Sequence, residues 1–282
     1  MGSKRDNALV LSIIIVNYKT RELLDRCLDS IFRAGFGEQI EVIVVDNGSG
    51  DGSVELVREK HPDVLLIAND ENKGFSVANN QGIERSMGEM VLLLNPDTEV
   101  NREALSGMMD FMRRHPQVGV AGPQLLFEDG SLQTSWFHFP VPLSRFFERR
   151  GGYRKVAHAL LGLRFKTDEE TENGARRVDI IKGACMMVRR EALRDVGLLE
   201  ENSFLYCDDI DWCIRAARRS WEAYFLPAFK IIHVGWASTS QEPYLTIVHS
   251  RRSALYLYRK HYNRLFVAMW TVFIYQEIVY KW

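Results

Sequence analysis

Acidic side chains that follow apolar runs are the first candidates for chemistry in this chain. Asp46 ends the run EVIVVD and leads into the loop NGSGDGS, and Asp97 stands three residues after the run MVLLL. A carboxylate at a strand tip can accept a hydrogen bond from a nucleobase, or bind a hard cation that bridges two phosphates. Plainer interpretations stay open: Asp46 and Asn47 form an Asx-turn with Ser53 capping the next helix, and Asp97 caps the helix beginning near Asn101.

The segment FLYCDDIDWCIRAARRS carries a third acidic group and predicts a general base. Asp211 stands four residues before Arg215, the spacing of a helical ion pair, and Asp208 can cap a helix that starts there. Asp209 has no such partner and lies beside an apolar run, so we expect burial to raise its pKa, as suits a base. The alternative is that Asp209 only adds a favourable charge to the first helical turn.

Three further residues have weaker signals. Lys73 can bind a phosphate or a carboxylate, with Gly74 permitting close approach of the ligand, although both also fit a solvated turn. His233 ends a strand-like run, and a lone histidine is more often a structural residue than a metal ligand. Whether these residues take part in chemistry depends on where the strands and helices place them.

Apolar runs alternate with amphipathic stretches between residues 9 and 127, which predicts an α/β fold with a mainly parallel sheet covered by helices on both faces. Ligands bind outside the carboxyl ends of the strands in such sheets. The polar residues that end four of the runs should therefore meet at one edge and form one site. These residues are Asn17, Asp46, Asn69 and Asn95.

The remainder of the chain suggests further divisions. Residues 129–178 are less periodic and are predicted to form a variable excursion over the site; they include Gly151-Gly152 and the charged run KTDEETENGARR. A long helical pattern starts at Pro243. The predicted units are one domain over 8–245, made of a nucleotide-binding half (8–128), the excursion (129–178) and an acceptor or catalytic half (179–245), and a C-terminal helical segment over 246–282.

The composition excludes some partners and compartments. In 282 residues, 36 basic side chains balance 37 acidic ones, so no overall positive field attracts nucleic acid. The four cysteines show no CxxC pair, which favours buried, reduced thiols in the cytoplasm, and MGSKRDN lacks the apolar core of a secretion signal. The apolar run LFVAMWTVFIYQEIVY is shorter than the ~20 residues of a membrane span, so it is expected on a membrane surface or against protein.

Seven segments in this order resemble the inverting glycosyltransferases of family 2, which have the GT-A fold, and above all their bacterial rhamnosyltransferase branch. The resemblance covers the chain from about Leu9 to Tyr262. The segments are IIIVNYKTRELLDRCLDSI, EVIVVDNGSGDGS, NKGFSVANN, LLLNPDT, VDIIKGACMMVRREAL, FLYCDDIDWCIRA and IIHVGWAS.

This resemblance assigns roles to residues. It implies that Asp46 recognises the nucleobase, that Asp209 is the catalytic base, and that Asp97 and His233 bind Mg²⁺ or Mn²⁺. It implies that the nucleotide-sugar site consists of Asn17, Tyr18, Asp46, Asn47, Lys73, Gly74, Asn79, Asn95, Asp97, Asp208 and Arg252. Asn95 stands where the family's Asp-x-Asp motif has its first Asp, which predicts weak or dispensable metal binding.

The implied activity is transfer of L-rhamnose from dTDP-rhamnose to a hydroxyl of a cell-surface glycan or lipid-linked oligosaccharide, in the cytoplasm or on the cytoplasmic face of the inner membrane. A UDP-sugar donor (galactofuranose, glucose or N-acetylglucosamine) stays open, as do a non-catalytic nucleotide-sugar-binding subunit and a homo-oligomer. A nucleotidyltransferase is disfavoured because the first strand is followed by VNYKT, which has no glycine.

Overall fold

The computed structural model describes residues 9–35, 40–140, 155, 158–163, 172–235, 243–268 and 270–271. Several sequence features lie outside the described residues: the N-terminal seven, Gly151-Gly152, most of KTDEETENGARR, the WAS that ends the seventh segment, and the end of the apolar C-terminal run. The strands are β1 Leu11–Asn17, β2 Ile40–Asp46, β3 Leu65–Ala68, β4 Met90–Leu94, β5 Thr98–Glu99, β6 Val118–Leu126, β7 Leu132–Gln133, β8 Trp136–Phe137, β9 Arg176–Val178, β10 Ile180–Ile181, β11 Cys185–Arg189 and β12 Glu222–His233. The helices are α1 Arg21–Ala34, α2 Ser53–Lys60, α3 Phe75–Arg85, α4 Arg102–Arg114, α5 Arg190–Val196, α6 Asp208–Arg218 and α7 Pro243–His261.

One large sheet organises the chain, in the order β3-β2-β1-β4-β11-β6-β12-β5, with β7 beside β6 and β9 beside β12. The first four strands are parallel, whereas β11 runs antiparallel to both β4 and β6. The predicted α/β class is therefore confirmed, with a sheet that is parallel in its first half and mixed in its second. The two-residue strands β5, β7 and β8 are too short to have a periodic signal in the sequence.

The register of the parallel strands confirms that the predicted polar residues share one edge. Asn17 pairs with Asp46 at the ends of β1 and β2, and the Asn69 amide donates a hydrogen bond to the Asp46 carbonyl. Asn95 directly follows Leu94, the last residue of β4, which pairs with Ile15 of β1. The four polar chain breaks thus lie together at the carboxyl ends of the strands.

Helices cover both faces of the sheet, as the continuous apolar runs predict. Ile13 and Ile15 of β1 pack with residues of α1 and α4, whereas Ile14 and Val16 pack with residues of α3, α6 and α7. Successive side chains of a strand point to opposite faces, so a strand buried on both sides must be apolar at every position. Trp212 of α6 is completely buried in the second of these cores.

The C-terminal segment, which consists of α7 and the described residues that follow it, packs on the domain. Tyr258, Tyr262, Phe266 and Trp270 form a ladder of aromatic contacts, in which the Tyr262 and Phe266 rings stack with centroids 3.9 Å apart. Tyr258, Tyr262 and Phe266 are buried. Within the described residues, no helix has both the length and the apolar character that a membrane span requires. This face of the segment therefore belongs to the protein core.

A buried arginine closes the end of α4. Nε of Arg189 donates to the carbonyl of Val118 (3.0 Å), and its Nη2 donates to the carbonyls of His115 (3.2 Å) and Met112. The last carbonyls of a helix have no partner within the helix, so a guanidinium that reaches them satisfies acceptors that would otherwise be buried unpaired.

All four cysteines carry free thiols. Cys27, Cys185 and Cys213 are buried and Cys207 is half-buried, in agreement with the prediction of buried, reduced side chains. Burial raises the pKa of Cys27 and of Cys207 to about 12, and it moves the pKa of the other two above the usual range. The thiols are therefore protonated at neutral pH.

Candidate active site

The ends of β1 and β2 form a tightly bonded corner. Nδ2 of Asn17 donates to Asp46 Oδ2 (2.8 Å) and to Ser49 Oγ (3.0 Å), while Asp46 Oδ1 accepts from the Ser49 amide (3.0 Å). Thr20 Oγ1 donates to Asn17 Oδ1 (2.7 Å), and Tyr18 lies beside this corner with its side chain half-exposed. The turn predicted at Asp46 is present, and its carboxylate already has partners on both oxygens.

The prediction that Ser53 caps α2 is wrong. The N-cap position is Gly52, and Ser53 is the first residue of the helix. Oδ1 of Asp51 accepts hydrogen bonds from both the amide (3.1 Å) and the hydroxyl of Ser53 (2.5 Å). Asp51 thus forms a local turn with Ser53, two residues further on. The Ser53 hydroxyl donates to Asp51 and does not cap the helix.

Asn47 braces the loop that carries Lys73. Its Nδ2 donates to Asn72 Oδ1 (2.8 Å) and the Gly74 carbonyl (3.2 Å), and its Oδ1 accepts from Asn69 Nδ2 (3.1 Å) and the Lys73 amide (3.1 Å). Asn47 is only 2% exposed, so its amide is committed to the protein. The Lys73 side chain is exposed at the rim of the same edge.

Gly74 is required by a protein contact. Its φ is +91°, and a Cβ there would lie 3.0 Å from both Cδ2 and the carbonyl oxygen of Phe204. The Phe75 amide donates to that same carbonyl (2.9 Å), which joins the loop to the segment ahead of α6. Gly74 therefore has a structural role, and its role in the approach of a ligand stays a prediction.

Two of the other predicted nucleotide-sugar residues, Asn79 and Arg252, lie apart from this corner. Asn79 is buried, and its Nδ2 donates to the Phe75 carbonyl within its own helix (3.0 Å). Arg252 is exposed on α7. Neither is brought into the bonded network of Asn17 and Asp46.

The Asn-Pro-Asp turn after β4 meets the end of β12. Oδ2 of Asp97 accepts from the Gly235 amide (3.0 Å), and Oδ1 lies 3.4 Å from Nε2 of His233. Nδ2 of Asn95 lies 3.4 Å from the same ring nitrogen. Asp97 and His233 are 7% and 5% exposed, so the pair is buried. Because β5 pairs with β12 through Thr98 and His233, the sheet itself places the two side chains together.

The alternative role for Asp97 as a helix cap is wrong. α4 is capped by Asn101, whose Oδ1 accepts from the Ala104 amide (2.8 Å). Asn101 has the extended backbone of an N-cap residue and is adjacent to the helix, whereas Asp97 is separated from it by β5. The Asp97 carboxylate is therefore available to the site.

Two residues that the sequence reasoning missed complete this part of the site. Oε1 of Gln133 accepts from Lys182 Nζ (2.9 Å) and faces Nδ1 of His233, while Gln133 Nε2 donates to the His233 carbonyl (3.2 Å). Burial lowers the pKa of Lys182, and the charges of Asp97 and Asp209 oppose that shift. Gln133 lies in the aperiodic excursion, where no sequence pattern indicated it. Lys182 was indicated only by its position before Gly183.

Asp209 lies near the start of α6, where the backbone turns sharply. Tyr206 and Cys207 both have positive φ values, 66° and 67°. Oδ2 of Asp209 accepts from the Gly183 amide (3.0 Å) and Oδ1 from the Ile210 amide (2.8 Å). The expectation that Asp209 has no partner is thus wrong, because β11 and its preceding turn approach the helix from another part of the chain.

The adjacent acid, Asp208, is not a cap: the N-cap of α6 is Cys207, and Asp208 is the first helical residue. It is 6% exposed, whereas Asp209 is half-buried. Burial and the neighbouring charge of Asp209 raise the pKa of Asp208 to about 8. Burial also raises the pKa of Asp209, although the Gly183 and Ile210 amides limit the shift. The raised proton affinity predicted for Asp209 is present.

Asp211 anchors α7. The predicted helical pair is present, with Arg215 Nε 2.7 Å from Asp211 Oδ2, and Oδ1 is 2.6 Å from His261 Nε2 and 2.8 Å from Lys260 Nζ. Burial would raise the pKa of Asp211, but its hydrogen bonds to His261 and Lys260 and the charge of Arg215 hold it well below the usual range. These partners were not predicted.

The residues at the Asn-Pro-Asp turn fit a divalent cation. The 3.4 Å between Asp97 Oδ1 and His233 Nε2 is close to the ~3 Å that separates adjacent ligands around a Mg²⁺ ion with ~2.1 Å bonds. Carboxylate and imidazole are both ligands for Mn²⁺. Asn95 offers an amide where a second carboxylate would add negative charge.

Asp25, Asp29 and His61 form a second group, whose ligand atoms lie within 4.8 Å of one another. Nζ of Lys60 already donates to Asp25 Oδ1 (2.7 Å) and to Asp29 Oδ2 (2.9 Å). The ammonium supplies the positive charge that a metal ion would bring. We therefore assign this group to an ion-pair cluster that joins α1 to the end of α2.

The chain is similar in sequence to known glycosyltransferases. The family described as "Glycosyl transferase family 2" matches residues 12–197. The chain is 28% identical over 273 residues to the N-acetylglucosaminyl-diphospho-decaprenol L-rhamnosyltransferase of Mycobacterium tuberculosis, covering 89% of this chain and 85% of that protein. It is 32% identical over 215 residues to the low-salt glycan biosynthesis hexosyltransferase Agl10 of Haloferax volcanii, covering 74% of this chain and 62% of that one.

A solved structure with a similar fold is the mannosyltransferase PcManGT from Pyrobaculum calidifontis in complex with GDP-Man and Mn²⁺. The TM-score is 0.59 at 19% identity, and the match covers 89% of this chain. This chain spans 63% of the length of the mannosyltransferase. Because the identity is only 19%, the likeness shows the fold alone. The GT-A fold predicted from the sequence is confirmed. Since the family match extends from β1 to the end of α5, most of the described sheet, the chain belongs to the family 2 glycosyltransferases.

Proposed function

We propose that this chain is an inverting glycosyltransferase that moves L-rhamnose from dTDP-rhamnose onto a hydroxyl of a cell-surface glycan or lipid-linked oligosaccharide. The donor is proposed from the relative with 28% identity, whose name gives L-rhamnose as the sugar and a decaprenol-linked diphosphate as the other substrate. The reaction would take place on the cytoplasmic side of the inner membrane, where nucleotide sugars are found.

The observation that carries this proposal is the position of Asp209. The charges of Asp97 and Asp209 both act to raise the pKa of Lys182 against the effect of burial, so the lysine lies within electrostatic range of the two carboxylates. Asp209 is the more exposed member of the acidic pair, and the Gly183 amide fixes one of its oxygens. The family match ends at residue 197, so the assignment of Asp209 as the base depends on this geometry.

In the proposed reaction, Asp209 takes the proton of the acceptor hydroxyl while the oxygen of that hydroxyl attacks the anomeric carbon of the donor sugar. The sugar–phosphate bond breaks on the opposite side, and the nucleoside diphosphate departs with the bonding electrons. Lys182, and Lys73 from the exposed rim, provide positive charge for the diphosphate, and Arg252 of α7 would add to it only if the bound donor reaches that helix.

Asp97 and His233 would hold Mg²⁺ or Mn²⁺ at this edge. A bound ion offsets charge on a departing diphosphate. Asn95 lowers the negative charge of the turn relative to an Asp-x-Asp sequence, so we propose that the metal binds weakly and that the reaction retains activity in its absence.

We propose that Asn17, Tyr18 and Asp46 receive the nucleotide base. Both Asp46 oxygens have partners within the protein, but each carboxylate oxygen can accept more than one hydrogen bond. Asn47, whose amide is fully used, and Asn79, which bonds within its own helix, act by holding the loop and helix that border the site.

The acceptor side of the proposal includes contact with a membrane. Tyr244, Ile247 and Leu265 are 62%, 51% and 73% exposed, and Arg252, Arg259 and Arg264 are exposed near them in the sequence. Apolar and basic side chains together favour an anionic membrane surface. Flotation of the full chain with anionic liposomes tests this contact; a triple Tyr244→Ser, Ile247→Ser, Leu265→Ser variant that floats as well as the wild type would contradict it.

The test of function is nucleoside diphosphate release across dTDP-, UDP- and GDP-sugars, with and without a polyprenyl-diphosphate-linked acceptor. We expect release from dTDP-rhamnose and a loss of about 10²–10⁴-fold in Asp209→Asn. Asp110→Asn, an exposed acid on α4, is the matched control. Release from a UDP-sugar instead would show that the donor is that UDP-sugar and not dTDP-rhamnose. A fully active Asp209→Asn would exclude Asp209 as the base.

A non-catalytic donor-binding subunit is the second candidate. The buried network of Asn17, Asp46 and Ser49 would be sufficient for binding alone. Calorimetry with the same donors separates the two functions: tight binding without transfer to any acceptor supports a subunit, whereas turnover supports the enzyme.

A further inference from the structure

Three polar side chains form a line behind Asp97. Lys182 Nζ donates to Gln133 Oε1 over 2.9 Å, the same oxygen faces His233 Nδ1, and the opposite ring nitrogen, Nε2, lies 3.4 Å from Asp97 Oδ1. Gln133 and His233 are 7% and 5% exposed. The line therefore connects a cation to the candidate metal ligand through a buried amide.

The lysine determines the direction of every hydrogen bond in this line. An ammonium group can only donate, so the Gln133 atom that faces Lys182 must be the oxygen. The Gln133 nitrogen is then directed at the His233 carbonyl, where it donates over 3.2 Å. Both contacts agree on one orientation of the amide. His233 Nδ1 faces an acceptor and must therefore carry a proton.

A neutral imidazole has one proton, so a proton on Nδ1 leaves a lone pair on Nε2. That lone pair faces an oxygen of Asp97, which also has only lone pairs. Two electron-rich atoms at 3.4 Å are stabilised by a cation between them. The amide of Gln133 thus selects the ring form that can bind a metal ion together with Asp97.

We propose that Gln133 is a positioning residue that holds His233 in the Nδ1-protonated form, and that Lys182 fixes the orientation of the Gln133 amide. This inference rests on the proposed function, in which Asp97 and His233 bind the divalent cation. Partners of metal-ligating histidines commonly change metal affinity by ~10–100-fold when they are removed. Gln133 fills this role where a carboxylate or carbonyl often stands.

The first test reads the ring form directly in the metal-free full-length chain. Long-range ¹H–¹⁵N spectra at pH 8.5 distinguish the two neutral forms of imidazole, and His233→Gln assigns the signal among the seven histidines. We expect the Nδ1-protonated form in the wild type, a mixture in Gln133→Leu, and recovery in Gln133→Glu, which keeps an acceptor. An Nε2-protonated wild type would overturn the proposal.

The second test measures Mn²⁺ affinity by electron paramagnetic resonance, without substrate. We expect Gln133→Leu to weaken binding by ~10–100-fold, Gln133→Glu to retain it, and Lys182→Met to fall between them. Gln124→Leu is the packing control, because Gln124 bonds to the Gln133 carbonyl (2.8 Å) on the same sheet. Equal affinity in Gln133→Leu and the wild type would overturn the proposal, as would an equal loss in Gln124→Leu.

The two failures are distinguishable. A chain that transfers no sugar but shows the Nδ1-protonated ring and its loss in Gln133→Leu contradicts only the proposed function. A chain that transfers sugar and shows the opposite ring form contradicts only the role of Gln133.

Discussion

His261 Nε2 donates a hydrogen bond of 2.6 Å to Oδ1 of Asp211, a buried carboxylate on the same helix as Asp209. On the other side of the ring, Arg218 Nη1 donates to His261 Nδ1 over 2.9 Å. Arginine only donates, so Nδ1 is the acceptor and the proton is on Nε2. Together with Lys260, this bond joins α7 to the helix that carries the proposed base.

Replacing Asp211 should therefore detach α7. We expect Asp211→Asn to lower the free energy of unfolding by ~3 kcal/mol, because three donors lose a buried charged acceptor. Urea denaturation at pH 7 measures the change, and Asp110→Asn, whose exposed carboxylate lies 3.7 Å from Arg113, should change it by less than ~0.5 kcal/mol.

The pH dependence of that variant follows from the lowered pKa of Asp211. Its contribution to stability is present above the ~3.9 of an unfolded aspartate and is lost as the pH falls through the lower folded value. The difference in unfolding free energy between wild type and variant should therefore shrink only below about pH 4. A difference that disappears already at pH 5.5 would assign the stability to another group.

Asp208 should have the opposite effect on stability. Its folded pKa is raised to about 8, so the folded state prefers the protonated acid, and stability is lost as the pH rises toward that value. We expect Asp208→Asn to be more stable than the wild type at pH 8 and similar to it near pH 4. Thermal denaturation at both pH values measures this; equal differences at both would contradict it.

Lys182 acts on the acid limb of the activity profile through Asp209. The charge of Lys182 favours ionisation of Asp209, whereas Asp208, with a pKa raised to about 8, is neutral where Asp209 ionises. We expect the acid limb of kcat/KM to move to higher pH in Lys182→Met and to stay in place in Asp208→Asn. A shift to lower pH in Lys182→Met would show that Asp209 is not the group being titrated.

Gly74 and Gly50 can be compared to test the donor loop. Both have positive φ, 91° and 63°, but a Cβ on Gly74 would meet Phe204 whereas a Cβ on Gly50 would meet no atom within 4 Å. Gly74 also has a ψ of 162°, which places it in a backbone region essentially limited to glycine, so alanine there has a backbone cost of its own. We expect an additional loss and a raised donor KM only in Gly74→Ala, relieved in part by Phe204→Ala in the double variant.

If Gly74→Ala and Gly50→Ala have equal stability and equal KM, the contact with Phe204 has no role. The double variant separates the contact from the backbone cost, because Phe204→Ala removes the ring and leaves the backbone conformation of Gly74→Ala unchanged; denaturation curves and initial rates are sufficient.

Arg189 should be important for the stability of the fold. Its guanidinium is buried and donates to carbonyls at the end of α4. We expect Arg189→Met to lower the free energy of unfolding by ~2–3 kcal/mol, because charged hydrogen bonds to buried acceptors are lost. Arg113→Met, on the exposed side of the same helix, is the control in the same urea titration.

The periodic parts of the sequence predicted the fold well. Runs that are apolar at every position can only be strands buried on both faces, and their polar ends placed Asn17, Asp46 and Asn95 at one edge. Capping was predicted less well. Gly52, Asn101 and Cys207 take the N-cap positions that were given to Ser53, Asp97 and Asp208, since backbone angles decide where a helix begins among residues a few positions apart.

The partners that were missed come from distant parts of the chain. Gln133 belongs to a two-residue strand in the excursion, and His261 to a helix that packs on α6 only in the folded protein. Neither has a local pattern that indicates its partner. Asp97 and His233 were joined in one metal site only through the family resemblance, and the pairing of β5 with β12 supplies the physical reason for their proximity.

The state of the four thiols has a practical consequence for spectroscopy. Because Cys27 and Cys207 have pKa values of about 12 and the other two are buried with pKa values above the usual range, maleimides at pH 7 should leave the native chain unlabelled. A single Met87→Cys change, at a position 71% exposed, would then carry the entire fluorophore. Labelling at one chosen position is thus accessible without a cysteine-free background.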